Sequence, residues 1–142
     1  MSFGWSAGDI VAALNLLHKV VLALKDAGGA SSDYQDVSSF LNVLTVTLEH
    51  LKVLQAAPLN LDLAKSLGDL CEQVQGPLTS FCERIRTSFE RDLGADSTRL
   101  KLLTASRKLQ WAFSTSKKVK DLREKIGGPI AAIGIVLSQQ VV

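Results

Sequence analysis

Apolar residues in this chain recur at steps of three and four, and they do so almost from end to end. Ile10, Leu14, Leu17, Val21 and Leu24 follow that spacing, as do Val37, Leu41, Leu44, Leu48 and Leu51. Leu63, Leu67, Leu70, Val74, Leu78, Phe81 and Ile85 repeat it. Steps of three and four stack side chains on one face of an α-helix, whereas a half-buried strand alternates every second residue. No stretch of strand-like alternation competes with the helical period. The spacing therefore predicts an all-α fold, a helical bundle of four to five helices.

The breaks between periodic segments set the expected elements. Ser6-Ala7-Gly8-Asp9 is a capping box: the Ser6 hydroxyl can accept from the backbone N–H three residues on, and Asp9 can reach back. Trp5 and Ile10 flank it as a hydrophobic staple. A first helix is expected over 7–27, ended by Gly28-Gly29. A second capping box at Ser32-Asp33-Tyr34-Gln35 opens a helix over 33–56, closed by Ala56-Ala57-Pro58. A third is expected over 61–92 behind Asn60. It contains Gly76-Pro77, but the apolar phase carries through, which predicts one helix kinked near Pro77 rather than two.

After Gly94-Ala95-Asp96 a fourth helix is expected over 97–113, apolar at Leu102, Ala105, Leu109 and Phe113. Ser114-Thr115-Ser116 is expected to end it and to cap a fifth over 117–139. In that fifth segment Val119, Leu122, Ile126, Ile130, Ile133 and Leu137 keep helical spacing through Gly127-Gly128-Pro129. The segment reads as a helix tolerating a kink, not as a linker. Ala131, Ala132 and Gly134 are small enough to let another helix approach closely.

A chain of 142 residues is about one domain, spanning 1–142, and can bury a core without staples. Hydrophobic residues make up 46% and charged residues 21%, which excludes a disordered composition. No basic region precedes the first apolar stretch, and Asp9 stands directly before it, so a secretory signal is not expected. Ser2 excludes N-myristoylation. No run reaches about 18 uninterrupted apolar residues, so no ready-made membrane span is expected and the chain is placed in the cytoplasm.

Catalytic chemistry is not visible. The chain has no GxxxxGK[ST] and no GxGxxG, hence no phosphate cradle. His18 and His50 have no ligand-type residue three or four positions on, so no metal site is expected. Cys71 and Cys82 are eleven residues apart, about 16 Å along one helix. A disulfide needs Cα atoms within about 7 Å, so buried free thiols are expected. Asp62, Asp69, Glu72, Glu83 and Glu90 lie along one long helix as a solvated face rather than an acid–base pair. The reading is a protein that is not an enzyme and takes no cofactor.

Charge is unevenly placed. Residues 1–30 are neutral, residues 31–95 carry net −4 and residues 96–142 net +6. Lys117–Asp121, Asp121–Lys125 and Lys120–Glu124 are i,i+4 pairs, so a solvated helix face is the plain account. Arg99, Lys101, Arg107, Lys108, Lys118 and Arg123 are less compensated. These six are the candidates for contact with anionic lipid or an acidic partner, each worth about 1 kcal/mol near an anionic membrane. Little aromatic interleaving accompanies them, which argues against nucleic acid.

Helix one is apolar almost all round, with a narrow polar strip of Asn15, His18, Lys19, Lys25 and Asp26. Such a helix sits at the centre of a bundle or leaves it for lipid, and one pattern serves both. In the second case Ile10, Leu14, Leu17, Val21 and Leu24 are the membrane-active face. The apolar core 10–24 is short for a stable single span, but oligomers lining a pore could hide the polar strip.

Two stretches resemble a known family. "MSFGWSAGDIVAALNLLHKVVLALKDAGGASSDYQDV" resembles the opening of fungal HeLo-like N-terminal domains, where a G-D and an apolar helix precede a small-residue turn and S-x-Y-Q. "LQWAFSTSKKVKDLREKIGGPIAAIGIVL" resembles their closing part: a W-A-F element, a basic helix and an apolar end. The resemblance implies a helical module at the N-terminus of larger fungal proteins such as NOD-like receptors. Related HeLo domains act in programmed cell death by membrane targeting. It thus implies a signalling domain of fungal innate immunity that self-associates and is recruited to the plasma membrane on activation. There Ile10 to Leu24 would be the membrane-active element. The alternative is a protein-interaction adaptor bundle, N-terminal in a multidomain regulator, that never touches lipid.

Overall fold

Four helices make up the described part of the chain. The computed structural model describes residues 5–28, 32–55, 61–92 and 105–139. The helices are α1 (Ala7–Gly28), α2 (Ser32–Leu54), α3 (Leu61–Asp92) and α4 (Ala105–Ser138). No strand occurs among the described residues. The expected all-α bundle is what the chain forms.

The start of α1 follows its capping signal. The Asp9 backbone N–H donates to the Ser6 hydroxyl at 3.1 Å, and the Ile10 N–H donates to the Ser6 carbonyl at 3.1 Å. The first of these bonds meets one of the orphan donors at the helix start, and the second is the helix's first intrahelical bond. Trp5 and Ile10, the two staple residues, are both buried in the core.

α3 runs unbroken through Gly76-Pro77, and α4 runs unbroken through Gly127-Gly128-Pro129. Each helical proline follows a glycine. Proline disfavours the helical conformation of its predecessor partly through a clash with that residue's Cβ, which glycine lacks. The glycine thereby removes one of the costs of an internal proline, leaving the missing hydrogen bond and the ring's approach to the carbonyl four residues back.

Two expectations fail at Ser114-Thr115-Ser116. The chain does not break there: the segments expected as the end of helix four and as helix five are one 34-residue helix. Thr115 and Ser116 are buried inside it rather than capping anything. The apolar face also lies elsewhere. Trp111 and Ala112 are buried, while Leu109 and Phe113 are 52% and 60% exposed. Because the helix is continuous, its phase is set by Val119 and Leu122, and counting back by threes and fours reaches 115/116 and 111/112. Leu109 and Phe113 fall on the other side. Leu102 lies outside the described residues.

α4 is the spine of the bundle. It packs most extensively on α3 and also touches α2 and α1, while α1 packs chiefly on α2. The core is the set of stripes read from the spacing: Leu14 and Leu17 of α1, Leu44 and Leu48 of α2, Val74 and Leu78 of α3, and Ile126 and Ile133 of α4.

Candidate functional site

Of the proposed membrane-active residues, Ile10, Leu14, Leu17 and Leu24 are buried in the core, and Val21 packs against it half-buried. α1 is thus a structural helix in this state. Leu22 and Val11 are exposed beside its polar strip. The segment Ala7–Ala27, 21 residues, is nevertheless long and apolar enough to cross a bilayer by length and composition. At 1.5 Å per residue it measures about 31 Å, against a hydrocarbon thickness of about 30 Å. The expectation that no uninterrupted apolar run reaches spanning length stands beside this, since Asp9, Asn15, His18 and Lys19 fall within the segment. A core helix meets the same measure, so the property concerns length and composition alone.

The N-terminal end of α1 is held at two points. The Trp5 ring is buried, and its backbone carbonyl accepts a hydrogen bond from the Gln55 side-chain amide at the end of α2. A hollow of about 310 Å³ lies beside the ring, lined in part by Asp9, Thr79, Cys82, Glu83 and Arg86. Farther along, His18 Nε2 of α1 lies 3.9 Å from Glu49 Oε1 of α2. Both side chains are half exposed, so water screens this pair and it contributes little.

Of the six basic candidates, Lys118 and Arg123 have described side chains, and these two do not share one surface. Arg99 and Lys101 lie outside the described residues. Arg107 and Lys108 fall in the first turn of α4. Lys118 is half-buried and lines a hollow with Glu83, Arg84, Thr87 and Ser88 of α3. Arg123 is exposed and lines a groove toward α2. The five-residue interval between them places the two on different sides of the helix. Among the described residues none of Lys117–Asp121, Asp121–Lys125 and Lys120–Glu124 closes as an ion pair.

Sequence reasoning missed an apolar–basic strip on α4. Leu109, Phe113 and Lys117 follow one another at four-residue steps on its exposed face, with Lys117 Nζ 5.0 Å from the centre of the Phe113 ring. A cation over an aromatic face is a modest attraction at an exposed site. The error in helical phase hid this strip, because Leu109 and Phe113 were assigned to the core.

Among the described residues the two cysteines are the candidate nucleophiles. Cys71 and Cys82 are free and buried, and burial pushes each thiol up to about 11. Such thiols are protonated at neutral pH and are poor nucleophiles. No group of three or more His, Cys, Asp or Glu side chains is placed to hold a metal among the described residues. Comparison of the chain with family models, curated proteins and solved structures returns no match.

Proposed function

We propose that this chain is a non-enzymatic signalling domain of the HeLo-like type, one that self-associates and targets or permeabilises membranes in fungal programmed cell death and non-self recognition. The observation that carries the reading is the double character of α1. It is long and apolar enough to span a bilayer, yet it is stored with its apolar face in the core. Its N-terminal end is fastened by a buried ring and a side-chain amide. Loss of that fastening would free a membrane-active helix bearing Ile10, Leu14, Leu17, Val21 and Leu24. The exposed Leu109–Phe113–Lys117 strip supports a first contact with an anionic surface, with the apolar pair entering the interface and the ammonium meeting lipid phosphate. Residence in the cytoplasm with recruitment to the plasma membrane belongs to the same proposal.

The test is dye release from anionic and neutral vesicles at two ionic strengths. The expected result is release that requires anionic lipid and weakens with salt. No binding and no release by folded protein would replace this reading with that of an adaptor bundle.

A further inference from the structure

Thr87 holds a place that no other hydroxyl in the chain shares. Of all the serines and threonines, it alone has an arginine three positions before it, in Arg84-Ile85-Arg86-Thr87. Kinases that choose substrates by charge read an arginine at that interval: an acidic pocket of the enzyme grips the guanidinium while the hydroxyl reaches the nucleotide. A second arginine, Arg86, stands directly before the threonine. Thr87 is exposed on α3, whereas Ser88 beside it is 5% exposed. Of the two adjacent hydroxyls, Thr87 is therefore the one an enzyme meets.

The surroundings suit the product as well as the reaction. Arg84 and Thr87 lie one helical turn apart and line a hollow of about 320 Å³ with Glu83 and Ser88 of α3 and Lys118 of α4. Two helices thus bring a guanidinium and an ammonium to the space beside one exposed hydroxyl. Among the described residues Glu83 is the only carboxylate in that lining. A phosphate on threonine carries about two negative charges at neutral pH and presents acceptor oxygens. Those oxygens can meet both cations, against repulsion from Glu83. In the unmodified chain the Thr87 hydroxyl donates to the Glu83 carbonyl at 3.0 Å, a bond that esterification ends.

We infer that Thr87 is a phosphorylation site, read through Arg84 by an arginine-directed protein kinase, and that the product phosphate is held between Arg84 and Lys118 as a link from α3 to α4. In the reaction the terminal phosphoryl group of a nucleoside triphosphate passes to the Thr87 oxygen. Its bond to the bridging oxygen breaks, a new O–P bond forms, the nucleoside diphosphate leaves, and the hydroxyl proton goes to a base of the kinase. Kinases take the acceptor residue in extended backbone, so the end of α3 must open. Thr87 stands five residues before Asp92, the last residue of α3, and helix ends open at the least free energy. The inference goes beyond the proposed function and needs no membrane.

The test is incubation of the 142-residue chain with magnesium ATP and the active catalytic domain of a calmodulin-dependent protein kinase, followed by phosphopeptide mapping. That enzyme class takes substrates with arginine at this interval. Phosphate is expected on Thr87. Arg84→Ala, at an exposed position, is expected to slow incorporation about tenfold or more with helicity unchanged. Lys118→Ala is expected to leave the rate nearly as it was. Thermal unfolding then reads the receiving site. The phosphorylated chain is expected to melt a few degrees above the unmodified one. Between modified and unmodified Lys118→Ala most of that difference is expected to vanish. A folded chain that takes no phosphate at Thr87 overturns the inference, as does incorporation indifferent to Arg84→Ala. A phosphorylated chain that melts no higher, or a rise that survives Lys118→Ala, overturns the link between the helices.

Discussion

At the scale of single residues, the core holds two kinds of polar group with opposite consequences. Cys71 and Cys82 are enclosed, and desolvation lifts both thiols from an ordinary value of 9.0 to about 11; for Cys82, nearby Arg86 opposes the shift and Glu83 adds to it. A folded-state pKa above the unfolded one means that the folded chain keeps its protons longer. The contribution to stability is complete below about pH 9 and is lost as pH rises toward about 11. Denaturant titrations at about pH 8 and about pH 10.5 should show the wild type losing on the order of 4 kcal/mol more than Cys71→Ala/Cys82→Ala, which cancels the titration of other groups. Equal losses would show that the thiols ionise freely in the fold. Thr115 and Ser116 bury hydroxyls that find no hydrogen-bond partner among the described residues. Thr115→Val keeps the branched shape and removes the unmet group, so it should raise stability by about 1 kcal/mol. Thermal unfolding would register that as a few degrees. A fall instead would mean that the hydroxyl makes a bond that this conformation lacks.

At the scale of elements, glycine position decides the sign of a substitution. A Cβ at Gly134 or at Gly128 would meet no neighbouring atom within 4 Å, yet only Gly128 precedes a proline. Gly134→Ala should therefore stabilise α4 by about 1 kcal/mol, the usual helical preference for alanine. Gly128→Ala should gain less or lose, because the new Cβ faces the Pro129 ring. Urea midpoints of the two variants check this, and identical gains would refute the account of how α4 passes its proline. The same reasoning explains which elements were legible beforehand. Period placed α1, α2 and α3, because each apolar stripe keeps one phase, and at α1 the Ser6 cap forms as its local signal indicates. The break at Ser114-Thr115-Ser116 was misread because serine and threonine hydroxyls favour caps only where the backbone leaves the helix. Here burial of Trp111, Ala112, Val119 and Leu122 holds the backbone helical through all three residues. The Gln55–Trp5 bond and the α2–α4 groove were invisible for another reason. They join residues far apart in sequence, and no local period encodes how helices dock.

At the scale of the whole molecule, the question is whether α1 leaves the bundle as a unit or whether the bundle simply unfolds at a membrane. The two routes order three variants differently. Gln55→Ala removes one hydrogen bond to the Trp5 carbonyl and should cost about 1 kcal/mol. Trp5→Ala removes the buried ring and should cost about 3–5 kcal/mol. Leu17→Ser, at a fully enclosed position, should cost more than the about 2–5 kcal/mol of a truncation to alanine. If leakage follows global unfolding, release rates should rank with lost stability, and Leu17→Ser should be among the fastest. If α1 departs as a helix, Gln55→Ala and Trp5→Ala loosen its fastening while leaving the 10–24 apolar face intact, so both should leak faster than wild type. Leu17→Ser would then release its helix readily but insert it poorly, and should leak more slowly than Trp5→Ala at matched stability. Dye release from anionic vesicles, measured in denaturant adjusted to equalise stability, reads that order directly. Equal rates at equal stability would mean that α1 has no separate part in leakage and that its apolar circumference serves the core alone.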